Sequence, residues 1–512
     1  MTFHRQLSAL NVNTFGWDLV SSIRIGPLNQ AIITAGRSPK AFSGTVENIT
    51  CVAGKFGDWQ ISDESDGDLM CMTLPLRDIE ITTDGAAKTF DAGTADIDLR
   101  LSYIPHDAIG PNSQPARQML LVVDAGANDA MAPVSVTNVE LEGHSRIDDI
   151  IDVQAALEAW LQDNIAMFTH VLAAVSLYET VEKDGDYVWM KPTYLAYAFG
   201  RDAKNPSQSI LSILSQTCER NADDLPNQTV VDAIPDGLEA GFLVSRSRFL
   251  RDVIKPAMPA AYPGLRESDL TVLPDDIGLT LEDTVQLKNV EYDGKTYDPE
   301  LLRLDINLYD TFVHTTMETR TKVSWGVWGH CRVSGGYGFK LITKRDGSRS
   351  MKVVEERPPT ESSWKEVEEG AKITRLILAI IAALAGIIIA ICTWGFGVAA
   401  AAPLYFAMYG GMIGFSALLA NEIFSGETSP PLDLLETQID DTLQWCTGSV
   451  FTPSFMALHH ALQIGGSTTD GARMQTRKTS ATPLAAAFQD RFAPVMANRP
   501  DAQRHEDRMP HV

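Results

Sequence analysis

The hydrophobic and polar positions divide this chain into blocks of different period. Through residues 14–34, Leu19, Val20, Ile23, Leu28, Ala31 and Ile32 recur at mixed helical spacing and predict a first helix, with Asp18 as its N-cap. From about 42 to 142 the pattern changes to short β-rich runs separated by Gly, Asp, Asn and Pro. The clearest of them places Ile97, Leu99, Leu101 and Tyr103 on one face of a period-two strand.

Residues 145–178 then carry Ile147, Ile150, Ile151, Leu157, Trp160, Leu161, Ile165, Phe168, Val171, Leu172 and Val175 at the spacing of one helical face. This predicts a single amphipathic helix of about 50 Å, with Ser145 as N-cap and Asp148 in its first turn. A helix of that length suits an elongated body in which a sheet wraps around it. Residues 185–200 read as strand, 241–258 as helix, 265–345 again as alternating strands, and 346–370 as a charged, Pro-containing connection. The run FMALHHALQIGG is strand-like, and from 466 to 512 periodicity is lost, which predicts a disordered tail after a body spanning 1–465.

Within that body, residues 376–421 contain no Asp, Glu, Lys, Arg or His. A bilayer core of about 30 Å needs about 20 helical residues, so the run is long enough for two helices that turn near Gly395, Gly397 and Pro403. The expected hairpin occupies 361–425, and two environments satisfy it: the interior of a large protein or a membrane. In the second case Leu376, Ile380, Leu384, Ile388, Ile391, Trp394, Phe406 and Phe415 are the candidate insertion residues. Its richness in Ala and Gly suits close helix packing and favours the buried alternative.

Composition narrows the function classes. With 45% hydrophobic and 21% charged residues, the chain of 512 residues can build a sizeable core. Its formal charge of -24 repels phosphate backbones, which argues against nucleic acid. The opening MTFHRQLSALNVNTFGWD has no basic region followed by an apolar core and a cleavage site, so cytoplasmic synthesis is expected. Export would then need lysis or a dedicated route, with peripheral or inserted membrane association through the hairpin. Cysteines 51, 71, 218, 331, 392 and 446 show no CxxC spacing and read as free thiols, although Cys51 and Cys71 fall in neighbouring predicted strands.

Catalytic and cofactor motifs do not occur. There is no GxSxG, HExxH, phosphate-binding loop, dinucleotide fingerprint or EF-hand spacing. Gly329, Gly335, Gly336 and Gly338 read as a turn with a strand bulge. Adjacent His459 and His460 would point to opposite faces of a strand and share no metal. The pairs Asp148–Asp149, Asp275–Asp276 and Asp440–Asp441 read as solvated faces or helix starts in a chain with 66 acids. A non-enzymatic protein without metal or cofactor is expected.

One ordered set of residues carries a resemblance. Asn13, Thr14, Phe15, Gly16, Trp17 and Asp18, with Val20 and Asn29, are followed by Phe56, Trp59, Ile61, Leu74, Pro75 and Leu76. Then come Phe168, His170, Val171, Ala173, Val175, Trp189, Pro192, Tyr197 and Ala198, and finally Phe242, Ser245, Arg246, Phe249 and Leu250. Over roughly residues 12–465 this set resembles the family of the clostridial 47-kilodalton protein and its OrfX relatives. The resemblance implies an α+β, TULIP-like (tubular lipid-binding) elongated fold, a highly curved antiparallel sheet around long helices. It also implies a non-enzymatic accessory role in a toxin gene cluster, in some relatives with lipid binding.

The leading expectation is therefore a protein that binds a lipid or other apolar molecule, with Leu157, Trp160, Leu161, Ile165, Phe168 and Leu172 as candidate lining residues; ordinary core packing explains the same residues. Alternatives are a toxin component that inserts the 376–421 hairpin into membranes at low pH, or a scaffold for other toxin-cluster proteins.

Overall fold

The computed structural model describes residues 12–371 and 439–468, apart from 48, 110–114, 126–132, 178–187, 263, 293, 344–348, 440–441 and 449–450, and also residues 489–493 and 496. Antiparallel strands make up most of it. The expected α+β fold wrapped around long helices, completed by an apolar helical hairpin, is corrected accordingly: helices are few among the described residues. The hairpin at 376–421 lies outside them.

Each apolar run became a strand where a neighbouring strand could take its backbone hydrogen bonds. Residues 14–34 are two elements, the strand Leu19–Arg24 and helix α1 (Ile25–Ala35). The strand is buried on both faces, and its Ser22 hydroxyl meets the Ser212 hydroxyl at 2.7 Å. Helix α1 stops at Gly36, whose φ of 62° is left-handed and whose N–H reaches the carbonyls of Ile32 and Ile33.

The single helix expected over 145–178 is likewise divided. Helix α2 (Ile147–Asn164) has 18 residues, about 27 Å, and gives way through a 3-10 turn at Ile165–Met167 to the strand Val171–Ser176. That strand, VLAAVS, is apolar on both faces, so spacing alone cannot distinguish it from a buried helix. Pairing with Pro115–Val123 on one side and Leu443–Trp445 on the other decides it. At the start of α2 the cap is Arg146 rather than Ser145, and Asp149 accepts the Arg146 N–H at 2.6 Å.

Two further corrections concern connections. Residues 241–258 begin as the strand Ala240–Val244 and become helical only at Arg246, with Ser245 as N-cap and a π-helical stretch over Phe249–Ile254. The charged connection at 346–370 is the 19-residue strand Arg349–Val367. It pairs on one side only, as the edge of its sheet, and a register shift lies opposite its Pro358 and Pro359. An edge strand and a bulge are where proline's missing N–H is tolerated.

The chain forms two compact units, Met1–Leu19 with Phe242–Thr437 and Pro453–Gly465, and Val20–Gly241 with Gln438–Thr452 and Gly466–Val512. The first unit holds the sheet in which Leu270–Val272, Gly278–Leu281, Pro299–Leu308, Val313–Ser324, Val327–Thr343 and Arg349–Val367 follow one another. Gly335, Gly336 and Gly338 lie in its strand Val327–Thr343, and register shifts fall between Ser334 and Tyr337.

Two sheets lie wholly within the second unit. One runs through Ala41–Val46, Thr50–Phe56, Met70–Thr83, Ala86–Leu99 and Val134–Leu141, with Gln60–Ile61 paired to Met70–Thr83. The other runs Leu443–Trp445, Val171–Ser176, Pro115–Val123 and Leu101–Ile109. Helix α2 packs on the first sheet, chiefly against Ala41–Val46 and Val134–Leu141. Gly44 permits that approach, because a Cβ there would lie 3.0 Å from the Ala156 carbonyl oxygen. One contiguous hydrophobic cluster joins α1, α2 and both sheets.

Candidate apolar site along helix α2

Leu157, Leu161, Ile165, Phe168 and Leu172 are all buried in that cluster, and Trp160 packs against it half-buried. The structure thus brings the six expected lining residues into one apolar region, although they come from helix α2, the 3-10 turn with the residue that follows it, and a strand rather than from one helix face. Aromatic rings from the sheet complete the wall. Phe42 meets Phe56 at 5.0 Å, Phe56 meets Trp59 at 5.4 Å and Trp160 at 5.3 Å, and Trp59 stacks on Phe168 at 5.1 Å.

Two polar atoms inside this wall lack partners among the described residues, Nε1 of Trp59 and Nδ1 of His170. Trp59 is fully buried, its backbone N–H is held by the Ser38 hydroxyl at 3.2 Å, and its rings neighbour those of Phe56 and Phe168. An unpaired donor at such a site carries a desolvation cost of about 1–3 kcal/mol that an acceptor atom would relieve. His170 is also fully buried; burial, and secondarily the Arg37 guanidinium, lower its pKa to about 3, so the ring is neutral.

Toward its N-terminus the apolar stripe of α2 comes to the surface. Ile147 and Ile151, expected on the buried face, are 76% and 55% exposed, whereas Ile150 packs against the core. Ile49, in the turn after Ala41–Val46, is exposed as well. Acids surround this end. Burial, followed by the charges of Asp148, Asp149 and Glu47, raises the Asp152 pKa. The salt bridge of Lys88 to Asp149 ties the first turn of α2 to the strand Ala86–Leu99.

Other expectations fall as follows. Cys51, Cys71, Cys218, Cys331 and Cys446 are free thiols; Cys71 sits opposite Asp98, not Cys51, and its Sγ donates to Asp98 Oδ1 at 3.0 Å. His459 ends a strand and contacts Gln463 Oε1 at 2.7 Å, while His460 occupies the following turn beside Asp310. Among the described residues no group of three His, Cys, Asp or Glu could hold a metal, and no helix is long and apolar enough to cross a membrane. The candidate insertion residues from Leu376 to Phe415 lie outside the described residues.

Sequence reasoning left out Phe42 and did not assign Trp59 to the site. Phe42 sits on a strand and Trp59 immediately before one, where alternation identifies an inward face but not what that face meets.

A family model described as OrfX-like, Protein OrfX2/OrfX3/P47, matches residues 14–466. Protein OrfX3 of Paraclostridium bifermentans is 27% identical over 501 residues, spanning 91% of this chain and 99% of that protein. Protein OrfX3 of Clostridium botulinum (strain Kyoto / Type A2) is 24% identical over 493 residues, spanning 89% and 99%. Among solved structures, P47 from Clostridium botulinum A2 superposes with a TM-score of 0.66 at 14% identity over 89% of this chain and 98% of that one. P47 of Clostridium botulinum E1 gives 0.63, also at 14% identity, over 89% and 100%. At that identity the two structures establish a shared fold.

Proposed function

The chain belongs to the OrfX-like family, and on that premise we propose that it is a non-catalytic accessory protein of a toxin gene cluster which binds a lipid or another apolar molecule against helix α2. The observation that carries the reading is the fully buried Trp59 indole, whose N–H has no acceptor among the described residues in a wall built from Phe42, Phe56, Trp160 and Phe168. An acyl chain bearing one carbonyl or carboxylate oxygen complements both features. Its methylene groups are worth about 0.8 kcal/mol each when buried, so a chain of about 16 carbons offers on the order of 12 kcal/mol before entropy losses. The headgroup then needs no dedicated polar pocket. The acyl chain enters at the exposed end of the stripe, beside Ile147 and Ile151.

The test is native mass spectrometry of protein purified without detergent, with extraction and identification of any bound lipid. A stoichiometric lipid retained by the natural chain and reduced at least about fivefold in Trp59→Phe, which keeps an aromatic ring but not the donor, supports the reading. A protein that is empty as isolated and takes up no fatty acid or phospholipid from vesicles refutes it.

A further inference from the structure

Three side chains near the C-terminus return to the second unit. Gln489, Phe492 and Met496 are buried while Asp490 and Arg491 are exposed, and residues 489–493 are helical. The i, i+3 spacing of Gln489 and Phe492 puts both on one face of the helical stretch 489–493. This periodicity lies in the stretch whose composition predicts a disordered tail.

The contacts are those of a docked peptide with one polar anchor and apolar knobs. Gln489 Oε1 accepts the Val171 N–H at 2.8 Å, and its Nε2 donates to the Val171 carbonyl at 2.6 Å. Val171 is where the register between Val171–Ser176 and Pro115–Val123 shifts, so a side-chain amide serves both backbone groups at an irregularity of the sheet. Gln489 Nε2 also lies 3.2 Å from His170 Nε2. The Phe492 and His106 rings meet in a T-shaped contact with centroids 5.4 Å apart, and the Arg491 guanidinium lies over the Phe492 ring. Arg491 donates to Gln444 Oε1 at 3.0 Å and Gln118 Oε1 at 3.3 Å, and Asp490 pairs with Arg37.

We propose that Val171, His170, His106, Gln118 and Gln444 form a peptide-recognition socket, and that the helical stretch 489–493 is its tethered ligand, exchangeable with the same stretch of a second copy of this chain. Recognition runs through side chains on one short helical face, the mode by which amphipathic helices dock into grooves. The segment adds no strand to either sheet, so its exchange leaves both ladders intact. The partner it fits is a helical peptide with Gln and Phe at positions i and i+3.

The test uses the full-length chain with a site-specific protease sequence inserted between Gly471 and Ala472, cut and followed by native mass spectrometry. The C-terminal piece is expected to stay bound after cutting and to be displaced by excess synthetic peptide spanning residues 486–500. Peptides carrying Gln489→Ala or Phe492→Ala should bind at least about tenfold more weakly. Immediate loss of the piece without peptide binding, retention against saturating peptide, or equal binding of natural and substituted peptides would each overturn the proposal. Full-length Gln489→Ala supplies a readout independent of the insertion. Amide exchange at Val171 should accelerate at least about tenfold while the sheet containing Thr50–Phe56 is unchanged, and unaltered exchange at Val171 overturns the socket.

Discussion

Nε of Arg248 donates to Oδ1 of Asp18 across 230 positions of sequence at 3.2 Å, with the Asp18 side chain fully buried and that of Arg248 9% exposed. Sequence spacing makes Asp18 the cap of a first helix; the structure makes it a buried counter-ion. The Asp18 carbonyl also accepts the Ser245 N–H at 2.8 Å, and Arg248 Nη1 reaches Asp252 Oδ2 at 2.9 Å. Asp18 therefore holds the start of the helical segment that begins at Arg246.

Removing one partner of this pair should cost far more than removing both. Arg248→Met strands a buried carboxylate and is expected to lose about 3–5 kcal/mol, and Asp18→Asn combined with Arg248→Met should recover part of it. Urea denaturation of the single and double variants measures the coupling. Additive losses would show that the pair is not the stabilising contact.

A second buried cation, Arg24, is held by backbone carbonyls. The Arg24 guanidinium donates to the carbonyls of Ile234 at 3.0 Å and Leu238 at 3.4 Å, and also to that of Gln208. Burial lowers its pKa, and Asp236, Asp202 and Asp232 oppose that shift from a distance. Lysine cannot reproduce the planar fork, so Arg24→Lys should lower stability by about 2 kcal/mol. Thermal unfolding would reveal it, and an unchanged midpoint would contradict the assigned role.

The close approach of α2 to its sheet depends on the missing side chain at position 44. A Cβ at that position would lie 3.2 Å from the Cβ of Ala156, so the extra methyls of Gly44→Val would be driven into the helix, at an expected cost of about 1–3 kcal/mol. Gly44→Ala should cost less. Equal stability of both variants with the natural chain, read from chemical denaturation, would mean that the helix is not seated on that strand.

Stability should fall on acidification through the two histidines that face the C-terminal segment. Burial lowers the pKa of His170 from 6.5 to about 3, with Arg37 adding to it; burial lowers that of His106 too, with Arg491 adding and Asp107 opposing. Asp490, paired with Arg37, is the acid that the segment brings to this place. A depressed folded-state pKa means that the unfolded chain binds more protons below pH 6.5, so stability is full above that pH and declines as pH drops toward the folded value. For His170 the loss at pH 5 is about 2 kcal/mol. Urea titrations at pH 7.5, 6 and 5 should show this slope, and His170→Phe should flatten it; the same slope in both proteins would exclude His170 as its source.

Much of the β architecture is legible in the sequence because period-two alternation survives wherever one face of a strand is wet. Thr50–Phe56 reads buried and exposed in strict alternation, and Pro299–Leu308 and Val313–Ser324 largely follow the same period. Legibility ends where both faces are dry. VLAAVS at 171–176 and LVSSIR at 19–24 are almost uniformly buried, and each reads as helix until its pairing partners are known. The burial of Leu157, Leu161, Ile165, Phe168 and Leu172 is legible for a related reason: large apolar side chains at helical spacing mark an interior whichever element carries them, whereas Ile147 and Ile151 obey the same spacing and are exposed.

By itself the sequence determined the family, the predominance of alternating segments between 42 and 142, and the apolar set Leu157, Trp160, Leu161, Ile165, Phe168 and Leu172, because these depend on residue identity and local order. Only tertiary structure decided that Asp18 faces Arg248, that Trp59 stacks on Phe168, and that Gln489 serves the backbone of Val171. Each joins positions far apart in the chain, and such pairings are selected by which buried polar group or apolar face finds its complement in space, a choice that no local pattern encodes.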